Sequence, residues 1–154
     1  MSEQTLVLVK PDAVQRGLIG EIIGRMERKG LRVLALKMMR MDDALARRHY
    51  SEHVEKPFFK GLAEFITSGP LVAMVLAGPN AVANVRGMMG ATDPAKSAPG
   101  TIRGDLGLTI GMNLIHGSDS PESALKEIEI FFEPRDVLEY SRDVDRWILE
   151  GDGK

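Results

Sequence analysis

Cysteine is absent from the 154 residues, which excludes disulfides, thiol nucleophiles and cysteine-ligated metals. An excess of either charge is missing as well. The 20 basic and 22 acidic residues leave a formal charge of -2, so there is no basic footprint for nucleic acid and no polybasic membrane patch. Aromatic residues make up only 5%, and no basic stripe is interleaved with them. No apolar run approaches the length of a membrane span. Met1-Ser2-Glu3-Gln4 lacks the charged and apolar regions of a signal peptide, so the expected compartment is the cytoplasm. Acidic residues are sparse near the histidines, and no metal cage built from protein side chains is expected.

What is present is an ordinary globular balance, 44% hydrophobic and 27% charged. The length suits one domain, and such a chain buries roughly two-thirds of its unfolded surface without staples. Residues 1–154 are therefore taken as a single domain, with residues from about 133 to 154 as a C-terminal tail. No internal repeat and no linker divides it.

Thr5-Leu-Val-Leu-Val9 has no polar interruption after its first residue and reads as a strand covered on both faces. Pro11 suits the first position of a short helix. Ile19, Ile22, Ile23 and Met26 recur at helical spacing up to a cap at Gly30. Leu31 to Met41 reads as a strand of untidy alternation. Asp42-Asp43 opens a helix through His49, and Phe59, Leu62, Ala63 and Ile66 mark another. Leu71 to Ala77 is wholly apolar and reads as a central strand. Val82, Val85 and Met89 give the next helix its stripe. Gly90 to Gly111 is rich in glycine and proline with little periodicity, and so long a loop is usually functional. Asn113 to Ser120 reads as a short strand and turn, and Ser120-Pro121 opens a last helix with Leu125, Ile128 and Phe132 as its stripe. In the tail, Leu138, Tyr140 and Trp147-Ile148-Leu149 suggest packing on the core or on a neighbouring subunit, and Gly151 to Lys154 is expected to fray.

This order suits an α+β fold: a ferredoxin-like βαββαβ core with a four-stranded antiparallel sheet, one sheet face covered by helices, and a long glycine- and proline-rich loop. Several polar residues then carry two readings each. His116 follows two apolar residues and precedes Gly117, as a turn histidine or as a nucleophile at a strand end that a ligand can approach. Lys10 is a solvated lysine or a cation at the mouth of a buried strand. Arg86 snorkels at the edge of its helix or grips an anion. Phe58 joins the core or offers an exposed stacking surface. Glu127 sits beside the stripe of the last helix and reads as solvated. His49 and His53, four apart, have a metal-binding spacing but no third ligand. If Lys10, Arg86, Arg103, Thr92, Asn113, His116 and Phe58 converge, the site takes a planar ring at one end and an anionic chain at the other. Three cations there would stabilise charge spread over phosphoryl oxygens, and histidine can carry the group covalently.

Lys10-Pro-Asp-Ala-Val-Gln-Arg-Gly17, His49-Tyr50 with Lys56-Pro-Phe-Phe59, Ser68-Gly-Pro70, Gly90-Ala-Thr92 with Pro94, Pro99-Gly-Thr-Ile-Arg-Gly-Asp105 and Asn113-Leu-Ile-His-Gly-Ser-Asp-Ser120 resemble the motifs of the nucleoside diphosphate kinases, in that family's order. The resemblance implies ping-pong transfer of a γ-phosphoryl group from a nucleoside triphosphate to His116 and on to a nucleoside diphosphate. Mg2+ would be bound with the nucleotide phosphates and not by a protein metal site. Lys10, Arg86, Thr92, Arg103 and Asn113 would hold phosphates and ribose, and Phe58 would stack on the base, with broad base tolerance. Glu127 would orient the imidazole, Ser118 would support it, Tyr50 would pack close by, and Gly117 would let the phosphate reach the ring. The resemblance also implies a homo-oligomer, a hexamer built from dimers, with the long loop in subunit contacts. Leu106 stands where the family commonly has an aromatic residue, and His53 where it commonly has an apolar one.

Overall fold

A computed structural model describes residues 2–151. Its elements in chain order are β1 (Glu3–Val9), α1 (Pro11–Gln15), α2 (Ile19–Lys29), β2 (Arg32–Met39), α3 (Asp43–His49), α4 (Phe59–Ile66), β3 (Leu71–Gly78), α5 (Ala81–Met89), α6 (Ile102–Leu106), β4 (Ile115–Gly117) and α7 (Pro121–Phe131). Local chemistry sets most of these ends. Prolines open α1 and α7. Asp42 and Ser120 accept hydrogen bonds from the backbone N–H groups of Leu45 and Ser123. Gly30, at φ 109°, closes α2.

The strands form one antiparallel sheet in the order β2-β3-β1-β4, the expected ferredoxin-like arrangement. The expectation that helices cover one face is corrected. Both faces are covered. Leu6 and Leu8 of β1 face α3, α4 and α7 through Ala46, Phe59, Ala63, Ile66, Ile128 and Phe131. Val7 and Val9 face α1, α2 and α5 through Ala13, Ile22, Met26, Val85 and Met89. The cause is visible in β3, where every residue is buried; a strand with no polar side needs a layer on each side.

In β2, the pairing with β3 shifts between Val33 and Ala35. This bulge puts Leu34 and Ala35 side by side in the core and leaves Leu36 and Met38 exposed on an edge strand, which accounts for the untidy alternation. The long loop is less irregular than its composition predicts. It holds α6, capped by Thr101, whose Oγ1 accepts from the Gly104 N–H, and 3-10 turns at Pro94–Lys96 and Ile110–Met112.

On α7 the expected stripe is also corrected. Ala124, Ile128 and Phe131 are buried, whereas Leu125 is 63% exposed and Phe132 lies beyond the helix end. The phase of this face turns Glu127 inward. The tail returns to the junction of α2 and β2. Leu138 N–H donates to Leu34 O, Tyr140 Oη–H to Val33 O, and Arg142 to the carbonyls of Gly30 and Leu31. Ile148 packs over Gly30, while Trp147 is exposed. The expected fraying concerns, for residues 152–154, a stretch outside the described residues.

Candidate active site

β4 is only three residues long, paired with β1 so that His116 lies opposite Leu8. The backbone ahead of it is unusual. Leu114 has φ 74°, a left-handed conformation that bulky residues seldom adopt. It is held by its N–H to Asp12 Oδ2 at 3.0 Å and by Lys10 N–H to its carbonyl at 2.9 Å. The twist sends Asn113 and His116 into one cleft.

That cleft, about 270 Å³, is lined by Lys10, Tyr50, Arg86, Met89, Thr92, Arg103, Asn113, Ile115, His116, Gly117, Asp119 and Glu127. Most of the singled-out residues therefore converge. Phe58 does not line it; its ring stands half exposed at the start of α4, 5.4 Å from the His53 ring and 5.8 Å from Lys56 Nζ. Ser118 is fully buried behind the cleft.

Arg103 is the most anchored of the cations. Its Nε donates to Asn113 O at 3.1 Å and its Nη2 to Ile115 O at 2.6 Å, with longer bonds from Nη1 to Gly90 O and Ala91 O. Burial, then Arg86, push its guanidinium down to about 10. Arg86 Nη1 donates to Gly117 O at 3.2 Å. Lys10 donates to Asn113 Oδ1, and Asn113 Nδ2 donates to Thr92 O. Burial also brings the Lys10 ammonium down to about 8, against the pull of Asp12.

The histidine is held from behind. His116 Nε2 lies 2.7 Å from Glu127 Oε1, and Ser118 Oγ–H donates to the same oxygen at 3.0 Å. Burial opposes the Glu127 charge, but the hydrogen bond and charge of His116, with help from His49 and Ser118, hold its carboxyl below the ordinary range. Burial pushes the Tyr50 phenol up to about 12. Gly117 lines the cleft, and its other side faces α5. A Cβ there would meet Met89 Sδ at 2.6 Å and Val85 Cγ1 at 3.1 Å. Its bareness lets α5 press against β4, and this close approach is what brings Arg86 to the site.

Asp12 and Asp119 had no role of their own in the sequence reading, and His49 had only a metal-binding spacing. Asp12 fixes Leu114, Asp119 stands at the rim, and His49 lies against His116. The signal for His49 was its place beside Tyr50. His49 and His53 do not share a helical face, since α3 ends at His49. Instead, His49, His116 and Glu127 bring potential ligand atoms within 4.8 Å of one another. A hard cation such as Mg2+ wants an oxygen shell. Two imidazoles and a carboxylate already bonded to one of them do not supply it, and the cleft walls are cationic.

The family model described as nucleoside diphosphate kinase matches residues 3–137. A nucleoside diphosphate kinase of Natronomonas pharaonis is 59% identical over 150 residues, covering 97% of this chain and 98% of that protein. One from Thermomicrobium roseum is 57% identical over 147 residues, covering 96% and 99%. Among solved structures, a halophilic nucleoside diphosphate kinase from Halobacterium salinarum in complex with CDP matches with a TM-score of 0.94 at 52% identity, covering 97% of this chain and 100% of that one.

Proposed function

The chain belongs to the nucleoside diphosphate kinase family, and from that premise we propose that its chemistry runs through His116. It is a phosphotransferase. The γ-phosphoryl group of a nucleoside triphosphate passes to a histidine and then to a nucleoside diphosphate, in ping-pong order. The observation that carries the choice of acceptor is the His116–Glu127 pair. Glu127 engages Nε2, so the ring proton resides there and Nδ1 keeps its lone pair, on a ring that lines the cation-walled cleft.

In the first half-reaction that lone pair attacks the γ-phosphorus. The bond from phosphorus to the bridging oxygen breaks, and its electrons leave with the diphosphate product. The ring becomes cationic on phosphorylation, with the Glu127 carboxylate beside its Nε2 proton. In the second half a β-phosphate oxygen of another diphosphate attacks the same phosphorus and the N–P bond breaks. Lys10, Arg86 and Arg103 offset the charge on the phosphoryl oxygens, the main protein contribution to such transfers. Thr92 and Asn113 hold phosphate and ribose, and Tyr50 packs beside the acceptor. Phe58 is assigned the base. Its half-exposed ring offers a stacking face that every base can use, which supports broad tolerance. Mg2+ arrives as part of the nucleotide substrate and offsets phosphate charge there.

The same reading treats residues 1–154 as one cytoplasmic domain that assembles into a hexamer built from dimers. Among the described residues no helix is long and apolar enough to cross a membrane. Two separate apolar surfaces support the assembly: Leu36 and Met38 on edge strand β2, and Leu108, Ile110 and Met112 in the long loop. A closed hexamer built from dimers needs two kinds of interface.

Incubation with Mg2+ and γ-labelled ATP tests the chemistry. The expected result is an acid-labile, base-stable label that a nucleoside diphosphate chases off, and none on His116→Ala. A native protein that takes no label, or a fully labelled His116→Ala, overturns it.

A further inference from the structure

α3 brings a second histidine to the acceptor, and the transfer scheme gives it nothing to do. The His49 ring lies 4.8 Å from the His116 ring, centroid to centroid, with the planes 83° apart. It is itself braced by Tyr50 at 4.6 Å and by Phe131 at 5.4 Å. Both His49 nitrogens are shut away from solvent, and neither has a hydrogen-bond partner among the described residues. Its contacts are therefore made by ring faces and edges, in the perpendicular geometry that aromatic quadrupoles favour.

The acceptor ring needs such a contact. The Glu127 hydrogen bond grips a single atom, Nε2, which lies nearer the line extended from the Cβ–Cγ bond than Nδ1 does. A grip near that line resists swinging of the whole side chain but only weakly resists spinning of the ring. Spinning is the motion that carries Nδ1 off its target, and misplacement by an ångström costs such a reaction heavily. We propose that His49 is a positioning residue for His116: its braced ring stops the acceptor ring from turning about Cβ–Cγ and keeps Nδ1 aimed into the cleft. The proposal rests on the reading of His116 as acceptor.

The surroundings keep this brace uncharged. Burial first, then the charge of His116, hold the His49 imidazole down to about 3, with Glu127 pulling the other way and His53 adding to the depression. A cation beside a ring that must itself become cationic would oppose the reaction; a neutral ring does not. Since no His49 nitrogen is engaged among the described residues, a flat hydrocarbon ring should do the same work.

Single-turnover phosphorylation by γ-labelled ATP with Mg2+, measured on the full chain, tests this alongside nucleotide Kd and the ring-nitrogen NMR signals of His116. His49→Leu fills the space without a flat face. It is expected to slow phosphorylation at saturating nucleotide by about tenfold or more, with Kd little changed and the His116 signals broadened by ring motion. His49→Phe is expected to recover most of that rate. His49→Ala should resemble His49→Leu, and if it fails to fold the other two variants decide. A His49→Leu protein that phosphorylates at the native rate overturns the proposal. So does a His49→Phe protein as slow as His49→Leu, which would put the effect on the nitrogens, and so does a loss confined to Kd. Failure of the native protein to take any label is a different result, and it removes the acceptor reading itself.

Discussion

Lys10 carries a charge that its surroundings oppose. Burial brings the ammonium from 10.5 to about 8. Without nucleotide, the unfolded chain holds this proton between about pH 8 and 10.5 while the folded chain has released it, so this group makes stability rise with pH through that window. Nucleotide affinity runs the other way. A polyphosphate needs the charged form, so affinity is full below pH 8, falls as pH rises through 8, and binding above it takes up a proton. Calorimetry in buffers of different ionisation heat measures that uptake, and Lys10→Arg, which stays charged, should abolish it. Phe58 poses a separate question because it stands outside the cleft. Phe58→Ala is expected to weaken purine and pyrimidine nucleotides alike, by about 1–3 kcal/mol; a loss confined to purines would contradict an indiscriminate stacking face. Most site residues were legible because residue types such as lysine, arginine and histidine next to glycine advertise chemistry. His49 was not. Its importance lies in which way a short helix faces, and seven residues of α3 carry too little periodicity to fix that.

Among the elements, those ended by local chemistry were readable: Gly30 stops α2, and Ser120 with Pro121 starts α7. Those fixed by partners were not. The β2 bulge exists only in the pairing with β3, and α6 is five residues anchored from elsewhere. Its seat depends on Gly104, where a Cβ would fall 2.0 Å from Ala98 O. Backbone cannot yield as a side chain would. Gly104→Ala should destabilise the fold by about 1–3 kcal/mol in denaturant titration, as overpacking does, and should weaken nucleotide binding by displacing Arg103. Arg142 offers a contrast. It ties the tail to Gly30 and Leu31 at the end of α2 and is itself held by Asp145 at 2.7 Å. Arg142→Ala should cost about 1.5–3 kcal/mol, read as a lower melting midpoint, with the labelling of His116 retained.

Over the whole molecule, the four-stranded ferredoxin-like sheet was legible because four strands and their intervening helices leave few topologies. The second helical layer was underread, although the apolar run of β3 pointed to it. The sheet has unlike edges. β4 closes one with three residues and bears His116; β2 leaves the other free, with Leu36 and Met38 exposed. An unpaired apolar edge invites a second chain. Sedimentation is expected to show an oligomer, and the double change Leu36→Glu with Met38→Lys should lower its mass. A native monomer would count against assembly through that edge.

The carbonyls around Arg103 have one more consequence. Gly90, Ala91, Asn113 and Ile115 already occupy its guanidinium, so it cannot swing out to meet an incoming phosphate and relax once the phosphate leaves. In the proposed scheme, donor and acceptor nucleotides meet the same rigid charge in the same place. A charge that reorganises for neither partner favours neither direction, and in that scheme the flow of phosphoryl groups follows the concentrations of the nucleotides outside.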